Sequence, residues 1–285
     1  MDHHNMLIWE ADFYRRPLQD EQGHPLWELL LCDRTRTWEF SALCPQPEAN
    51  ATWVVSQLQA AAKTQQHFPE RLQVFRPQAL GLLELAGKEL GITVEPTRRT
   101  FALKQLLREK AQQYSQASSY AQQPYSPLAL DKPPPTPIAE NLQGEQWRFA
   151  AIAAGQLVDA FQDRPIPILE MPEILLPLSL GLASDLPVPG VIIDAGRRSM
   201  KLAQWLQQVH PVALNYMAGS PDGLILEAGL AERWVMATFE DLEVKAAAQA
   251  YEQRKQGTQG LHFLLVQPDD SGMTYSGFWL LHPVD

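Results

Sequence analysis

The sequence predicts an α/β protein built from two mixed-sheet domains. Three observations lead there. The first half alternates strand-like and helix-like segments in the order β, β, β, α, β, α, β, α. A polar, then proline-rich stretch from Gln112 to Pro137 interrupts the chain with too few apolar residues for a core. One phrase then occurs on each side of that break, EPTRRTFALKQLL from Glu95 and DAGRRSMKLAQWL from Asp194, which suggests related halves. The expected division is an α/β domain over residues 1–116, a Pro/Gln/Ser-rich linker over 117–140 that is semi-rigid near Pro133–Pro137, and a second α/β domain over 141–285.

In the first half, LIWEADFYRRP reads as a strand and QDEQGHP as a turn. WELLLCD and TWEFSALCP are two further strands joined by RTR, an antiparallel hairpin. Asn50 is placed to cap the helix ATWVVSQLQAAAKTQQ. LQVFRP is a short strand, QALGLLELAGKELG a helix closed by Gly91, ITVEP a strand, and TFALKQLLREKAQQY the last helix. This order matches the ribonuclease H-like fold, a mixed sheet flanked by helices. In the second half, WRFAAIAAGQLVDAF and IPILEMP read as strands, and PGVIIDAG as a buried strand leading into the second arginine helix. PVALNYM, GLILEAGL and ERWVMATF follow as strands, and EDLEVKAAAQAYEQRKQG is a helix with acids in its first turn and cations in its last. LHFLLVQP and SGFWLLH close the chain as a hairpin.

Composition narrows the function. No apolar run approaches the roughly 20 residues needed to span a bilayer, and the opening MDHHNMLIWEADF lacks the pattern of a signal peptide, so a cytoplasmic protein is expected. Cys32 and Cys44 form no CxxC pair and no zinc-type cluster, which predicts no disulfide and no metal. The net charge of -10 disfavours indiscriminate nucleic-acid binding. That charge sits in the second half: residues 1–116 carry 13 Lys and Arg against 14 Asp and Glu, residues 117–285 carry 10 against 19. A local basic surface therefore belongs in the first half, whose near neutrality also allows a homodimer through that half.

In each repeated phrase two arginines and a hydroxyl residue open a helix, Arg98, Arg99 and Thr100 in one and Arg197, Arg198 and Ser199 in the other. A capped helix start flanked by guanidinium groups suits a phosphate. Tyr14 beside Arg15 and Arg16 is the candidate base platform, and Arg76 adds a further cation. Catalysis is the rival reading. Glu10 and Asp12 occupy the strand where a ribonuclease H-like nuclease would keep a metal-binding acid, but alternation sets both opposite Trp9, Ala11 and Phe13 on an expected solvated face. Asp222, Glu227 and Lys245 resemble a restriction-type set without its lysine spacing, and Asp194 is a lone strand-end acid. No GxSxG, Walker or GxGxxG motif is present. No enzyme and no cofactor are expected.

WEADFYRRP, WELLLCD, the FRP of Phe75–Pro77, EPTRRT, PGVIIDAGRRS and the terminal FWLL resemble the TAB-type RNA-binding family of cyanobacteria and chloroplasts, across about Leu7 to His282. The resemblance implies an RNA-binding protein that promotes translation through an A/U-rich messenger leader in photosystem I biogenesis, with the translation machinery as a further partner. It also implies a role in RNA binding for Trp279, Leu280 and Leu281. The early first strand, without a transit peptide, resembles the cyanobacterial form. A metal-dependent nuclease and an RNA-free assembly scaffold are the alternatives.

Overall fold

A computed structural model describes residues 7–130 and 132–283; the opening MDHHNM, read above for a leader, lies outside the described residues. The chain forms two compact units, residues 1–131 and 132–284.

In unit one the strands are β1 (Ile8–Gln19), β2 (Pro25–Asp33), β3 (Glu39–Pro45), β4 (Arg71–Val74) and β5 (Thr93–Pro96), and the helices are α1 (Ala51–Gln65), α2 (Pro77–Leu90) and α3 (Phe101–Tyr114). They lie in the sheet order β3-β2-β1-β4-β5. The β1–β2 and β2–β3 pairs are antiparallel, and β1–β4 and β4–β5 are parallel. Local chemistry sets several boundaries. Asn50 Oδ1 accepts from the Trp53 amide at 3.0 Å and starts α1. Pro77 opens α2, and Gly91, at φ +72°, ends it in a left-handed turn.

The period of two along β1 divides the core. Trp9, Ala11 and Phe13 face α1 and α2 with Leu29, Leu31 and Val54. The opposite face is not solvated as expected: α3 covers it, with Leu103 and Leu107 against Leu30, Cys32 and Phe75. Glu10 and Asp12 are consequently buried, at 2% and 0% exposure. Both cysteines are buried and free.

Asp12 is paired twice. Its Oδ2 lies 3.0 Å from Arg16 Nη1 and its Oδ1 2.8 Å from Arg76 Nε. Arg16 Nε donates to Glu28 Oε2 at 2.9 Å, Tyr114 Oη donates to the same oxygen, and Glu28 Oε1 accepts from Ser41 Oγ at 2.7 Å. Residues following α3 complete the network. Arg76 donates to the Pro127 carbonyl at 2.7 Å and the Ala129 carbonyl at 2.9 Å, while Tyr125 Oη lies 3.3 Å from Arg16 Nη1. The same segment bonds to the end of β1, with Gln19 N to Ser119 O and Ala121 N to Pro17 O, both at 2.9 Å. Leu128 and Leu130 pack on the α3 side of the core.

Unit two has two sheets. One orders β10 (Pro211–Met217), β11 (Asp222–Ala228), β12 (Glu232–Phe239) and β6 (Thr136–Pro137). The other orders β7 (Gln146–Ala153), β9 (Pro187–Asp194), β13 (His262–Gln267), β14 (Gly277–Leu281) and β8 (Ile168–Glu170). The helices are α4 (Ala154–Phe161), α5 (Ser199–Val209) and α6 (Leu242–Gly257). The expected strand WRFAAIAAGQLVDAF is half helix: alternation stops at Ala153, and Ala154, Leu157 and Phe161 then recur at helical spacing on one buried face. β13 and β14 form the expected antiparallel hairpin and are buried along their whole length. Trp279 and Leu281 pack on one face with Val191 and Leu264, and Leu280 on the other with Phe263 and Phe278.

Two destabilisations follow. Trp279→Ala should lower the unfolding free energy of unit two by about 3–5 kcal/mol through the cavity it leaves, read by urea denaturation. Asp12→Ala leaves Arg16 and Arg76 buried without their shared carboxylate and should destabilise unit one by about 3–5 kcal/mol. Unchanged melting of Asp12→Ala would mean that the pairs contribute nothing to the fold.

Candidate nucleic-acid interface

The arginines singled out in the sequence fall into two classes. Arg15, Arg99 and Arg197 are exposed and Arg198 is half-buried. Arg16, Arg76 and Arg98 are interior, at 3%, 2% and 6% exposure. Arg16 Nε and Nη1 and the Arg76 donors are directed at Asp12, Glu28 and backbone carbonyls, so these two serve the core instead of the expected phosphate surface. Tyr14 is half-buried, with the Arg76 guanidinium 4.2 Å above its ring and Trp27 set edge-on at 6.0 Å. One face of the expected base platform is thus already occupied by a cation.

Neither repeated phrase builds the capped anion seat that its sequence suggests. At α3, Thr100 precedes the helix but its hydroxyl makes no cap; Glu10 Oε2 reaches across from β1 to accept from the Leu103 amide at 2.8 Å. The protein's own carboxylate fills the position a phosphate would take. Burial pushes the Glu10 carboxyl up to about 6, against the opposing pull of the Leu103 amide and of Arg34 and Lys104. In unit two, Gly196–Arg198 forms a 3-10 turn and Ser199 is already helical, without a side-chain cap. Gly196 lies at φ +53° with the Glu145 side chain directly over it, so a Cβ there would collide with the carboxylate. Arg198 Nη1 donates to the Glu140 carbonyl at 3.2 Å. Asp194 pairs with Arg148 and accepts from Gln267 Nε2 at 2.7 Å, which pins the end of β9 just before the turn.

The remaining acids are paired separately. Asp222 meets Lys245 at 3.1 Å, and Glu227 meets Lys132 at 3.1 Å near the other end of β11. Among the described residues no three His, Cys, Asp or Glu side chains gather to hold a metal. Trp279, Leu280 and Leu281 are at most 3% exposed and present no surface to a ligand.

Sequence reading missed a cavity of about 440 Å³ in unit two. Ile193, Leu202, Leu224, Trp147 and Met236 are among its apolar lining, and Gln143, Glu145 and Thr238 supply polar groups. The signal in the sequence was weak: Trp147 sits in WRF, which reads as an ordinary strand with an inward aromatic residue.

The Glu10 shift gives a pH test. Its folded value, about 6, exceeds the ordinary 4.5, so its contribution to stability is fully present below pH 4.5 and is lost as pH rises through 6. Glu10→Gln removes this dependence. The stability difference between the parent and the variant should therefore change by on the order of 2 kcal/mol between pH 4 and 7, in favour of the variant at the higher pH. A constant difference across that window would mean that Glu10 is not shifted.

Comparison with known proteins supplies the family. Residues 8–110 match the family "RNA-binding protein Tab2/Atab2 N terminal", and residues 125–282 match "RNA-binding protein Tab2/Atab2, C-terminal domain". The TAB2 homolog, chloroplastic, of Zea mays is 30% identical over 287 residues, covering 99% of this chain and 73% of that protein. The protein of the same name from Arabidopsis thaliana is 30% identical over 279 residues, covering 96% and 74%. Among solved structures, a chain from a simian T-cell lymphotropic virus intasome bound to PP2A regulatory subunit B56 gamma aligns over 50% of this chain and 61% of its own. Its identity of 12% and TM-score of 0.26 are too low to bear on the fold. Matched in both of its halves, the chain belongs to the Tab2/Atab2 family of RNA-binding proteins.

Proposed function

We propose that this protein binds single-stranded, A/U-rich RNA and thereby promotes translation during photosystem I biogenesis, acting in the cytoplasm with the translation machinery as partner. Membership of an RNA-binding family in both halves carries this reading. The finer terms rest on the resemblance of its motifs and on relatives named as chloroplastic. Arg15, Arg99, Arg197 and Arg198 are the proposed phosphate contacts, because their side chains reach the surface while Arg16 and Arg76 are spent inside. The Trp279–Leu281 tripeptide supports binding indirectly, by filling the core beneath the surface.

Unit one is proposed as a ribonuclease H-like scaffold used for binding instead of cleavage. Its sheet order and its acids on β1 favour the scaffold, whereas the pairing of Asp12 with two guanidinium groups disfavours a metal at that carboxylate. A divalent cation there would have to displace Arg16 and Arg76 from the Asp12 oxygens they already hold.

The salt dependence of binding tests the phosphate contacts. For single strands the slope of log K against log salt is about -0.7 per phosphate neutralised. Replacing Arg99, Arg197 and Arg198 together with Ala should flatten that slope by about 2 with the melting temperature unchanged. An unaltered slope would remove these arginines from the interface.

A further inference from the structure

The cavity in unit two has the size of a small-molecule pocket, within the usual range of roughly 300–1,000 Å³. We propose that it receives one unstacked nucleobase of a single-stranded RNA, with the neighbouring phosphate held by Arg197 and Arg198. This inference rests on the RNA-binding reading and adds to it a place where a base is gripped.

Three features argue for a base. The first is an aromatic wall. Trp147 is half-buried and lines the cavity, and its indole is fixed by Phe149 edge-on at 5.3 Å and by Phe239 at 5.5 Å. A ring locked in this way loses little freedom when a base stacks on it, and such stacking is the usual source of single-strand affinity. The second is the polar mouth. Gln143, Glu145 and Thr238 line the cavity and are exposed, so an amide, a carboxylate and a hydroxyl are available to a base edge beside the apolar side chains. Gly144 holds this mouth close to β9, because a Cβ there would run into Ile193.

The third feature is the strand edge. β6 pairs with β12 only at Trp234 and Val235, so on the edge away from β11 the following residues, Met236 to Thr238, border the cavity. The β11–β12 register also slips here, with Leu224 facing Ala237 and Ile225 facing Val235. Met236 is thereby left without a partner across the ladder, in the manner of bulges that re-aim side chains at binding sites.

Charge completes the argument. Leu202, in the cavity lining, belongs to the helix that Arg197 and Arg198 introduce. Arg198 is bonded to Glu140, three residues before the mouth begins at Gln143, and Glu145 crosses over Gly196 beside the arginines. The turn therefore borders the mouth, and because the Glu145 carboxylate covers its Gly196 side, a neighbouring phosphate would meet the exposed Arg197 guanidinium and not the turn backbone.

Photo-cross-linking of the full chain to an A/U-rich single-stranded oligoribonucleotide carrying 4-thiouridine tests the proposal, with cross-linked peptides mapped by mass spectrometry and affinity read by fluorescence anisotropy. Trp147→Leu removes the stacking face, and Thr238→Trp, at an exposed position of the mouth, closes the entrance without disturbing the core; thermal melting monitors the fold of each. Cross-links should concentrate in residues 136–148 and 233–240 and fall at least fivefold in both variants, with affinity about tenfold weaker. Cross-links confined to other segments, together with unchanged RNA affinity of Thr238→Trp, would overturn the pocket and leave RNA binding standing. An absence of binding by the parent chain would overturn the RNA reading itself and the pocket with it.

Discussion

Unit one is organised around a carboxylate that has no access to water. Asp12 lies on the central strand of the sheet at 0% exposure, and an ionised group in that position costs several kcal/mol unless it is paired and hydrogen-bonded. One of its partners is local and the other comes from a distant part of the chain. Arg16 lies four residues along the same strand, whereas Arg76 follows β4 and is itself held by carbonyls at 127 and 129. Arg16 extends the network to Glu28 on β2 and, through it, to Tyr114 at the end of α3. The network is complete only when strands, helix and the following segment are all in place. A network of this kind ties local folding steps to one another and penalises partial structures.

The same pairing bears on function. Acids on the first strand of a mixed sheet invite a nuclease interpretation, yet carboxylates serve metal chemistry only when their oxygens are free to converge on an ion. Here the oxygens of Asp12 are given to guanidinium groups, and an oxygen of Glu10 is given to the start of α3. Unit two follows a comparable division of labour. Trp279 and its neighbours fill both faces of a buried strand, and the residues with surface access, Arg197 and Arg198 with the polar mouth near Gln143 to Glu145, are presented by turns next to that core.

Much of the secondary structure was legible because period and punctuation agreed. The Asn50 cap, Gly91 after α2, and the acids and cations at opposite ends of α6 each marked an element that the chain forms. Other features depended on tertiary context. Alternation gave the correct face for Glu10 and Asp12 but could not show that α3 would cover it, so two buried acids read as solvated ones. Arg16 and Arg76 looked like surface cations because sequence carries no information about a carboxylate 64 residues from Arg76. Thr100 and Ser199 had the right chemistry and position to cap, and Glu10 or a 3-10 turn took over instead. In QQYSQASSYAQQPYSPLAL the low apolar content concealed a segment held by backbone hydrogen bonds, two leucines and the side chains of Arg16, Glu28 and Arg76. The cavity was invisible for a similar reason, since its lining is assembled from several strands and one helix.

The proposed role requires that this fold hold RNA without cutting it. The most direct measurement follows both binding and integrity of one end-labelled A/U-rich single strand, in the presence and absence of magnesium. Saturable, salt-sensitive binding with the RNA intact under both conditions is the predicted result. Magnesium-dependent cleavage that disappears in an Asp12→Asn variant shown by thermal melting to remain folded would contradict this reading and return the acids of the first strand to catalysis.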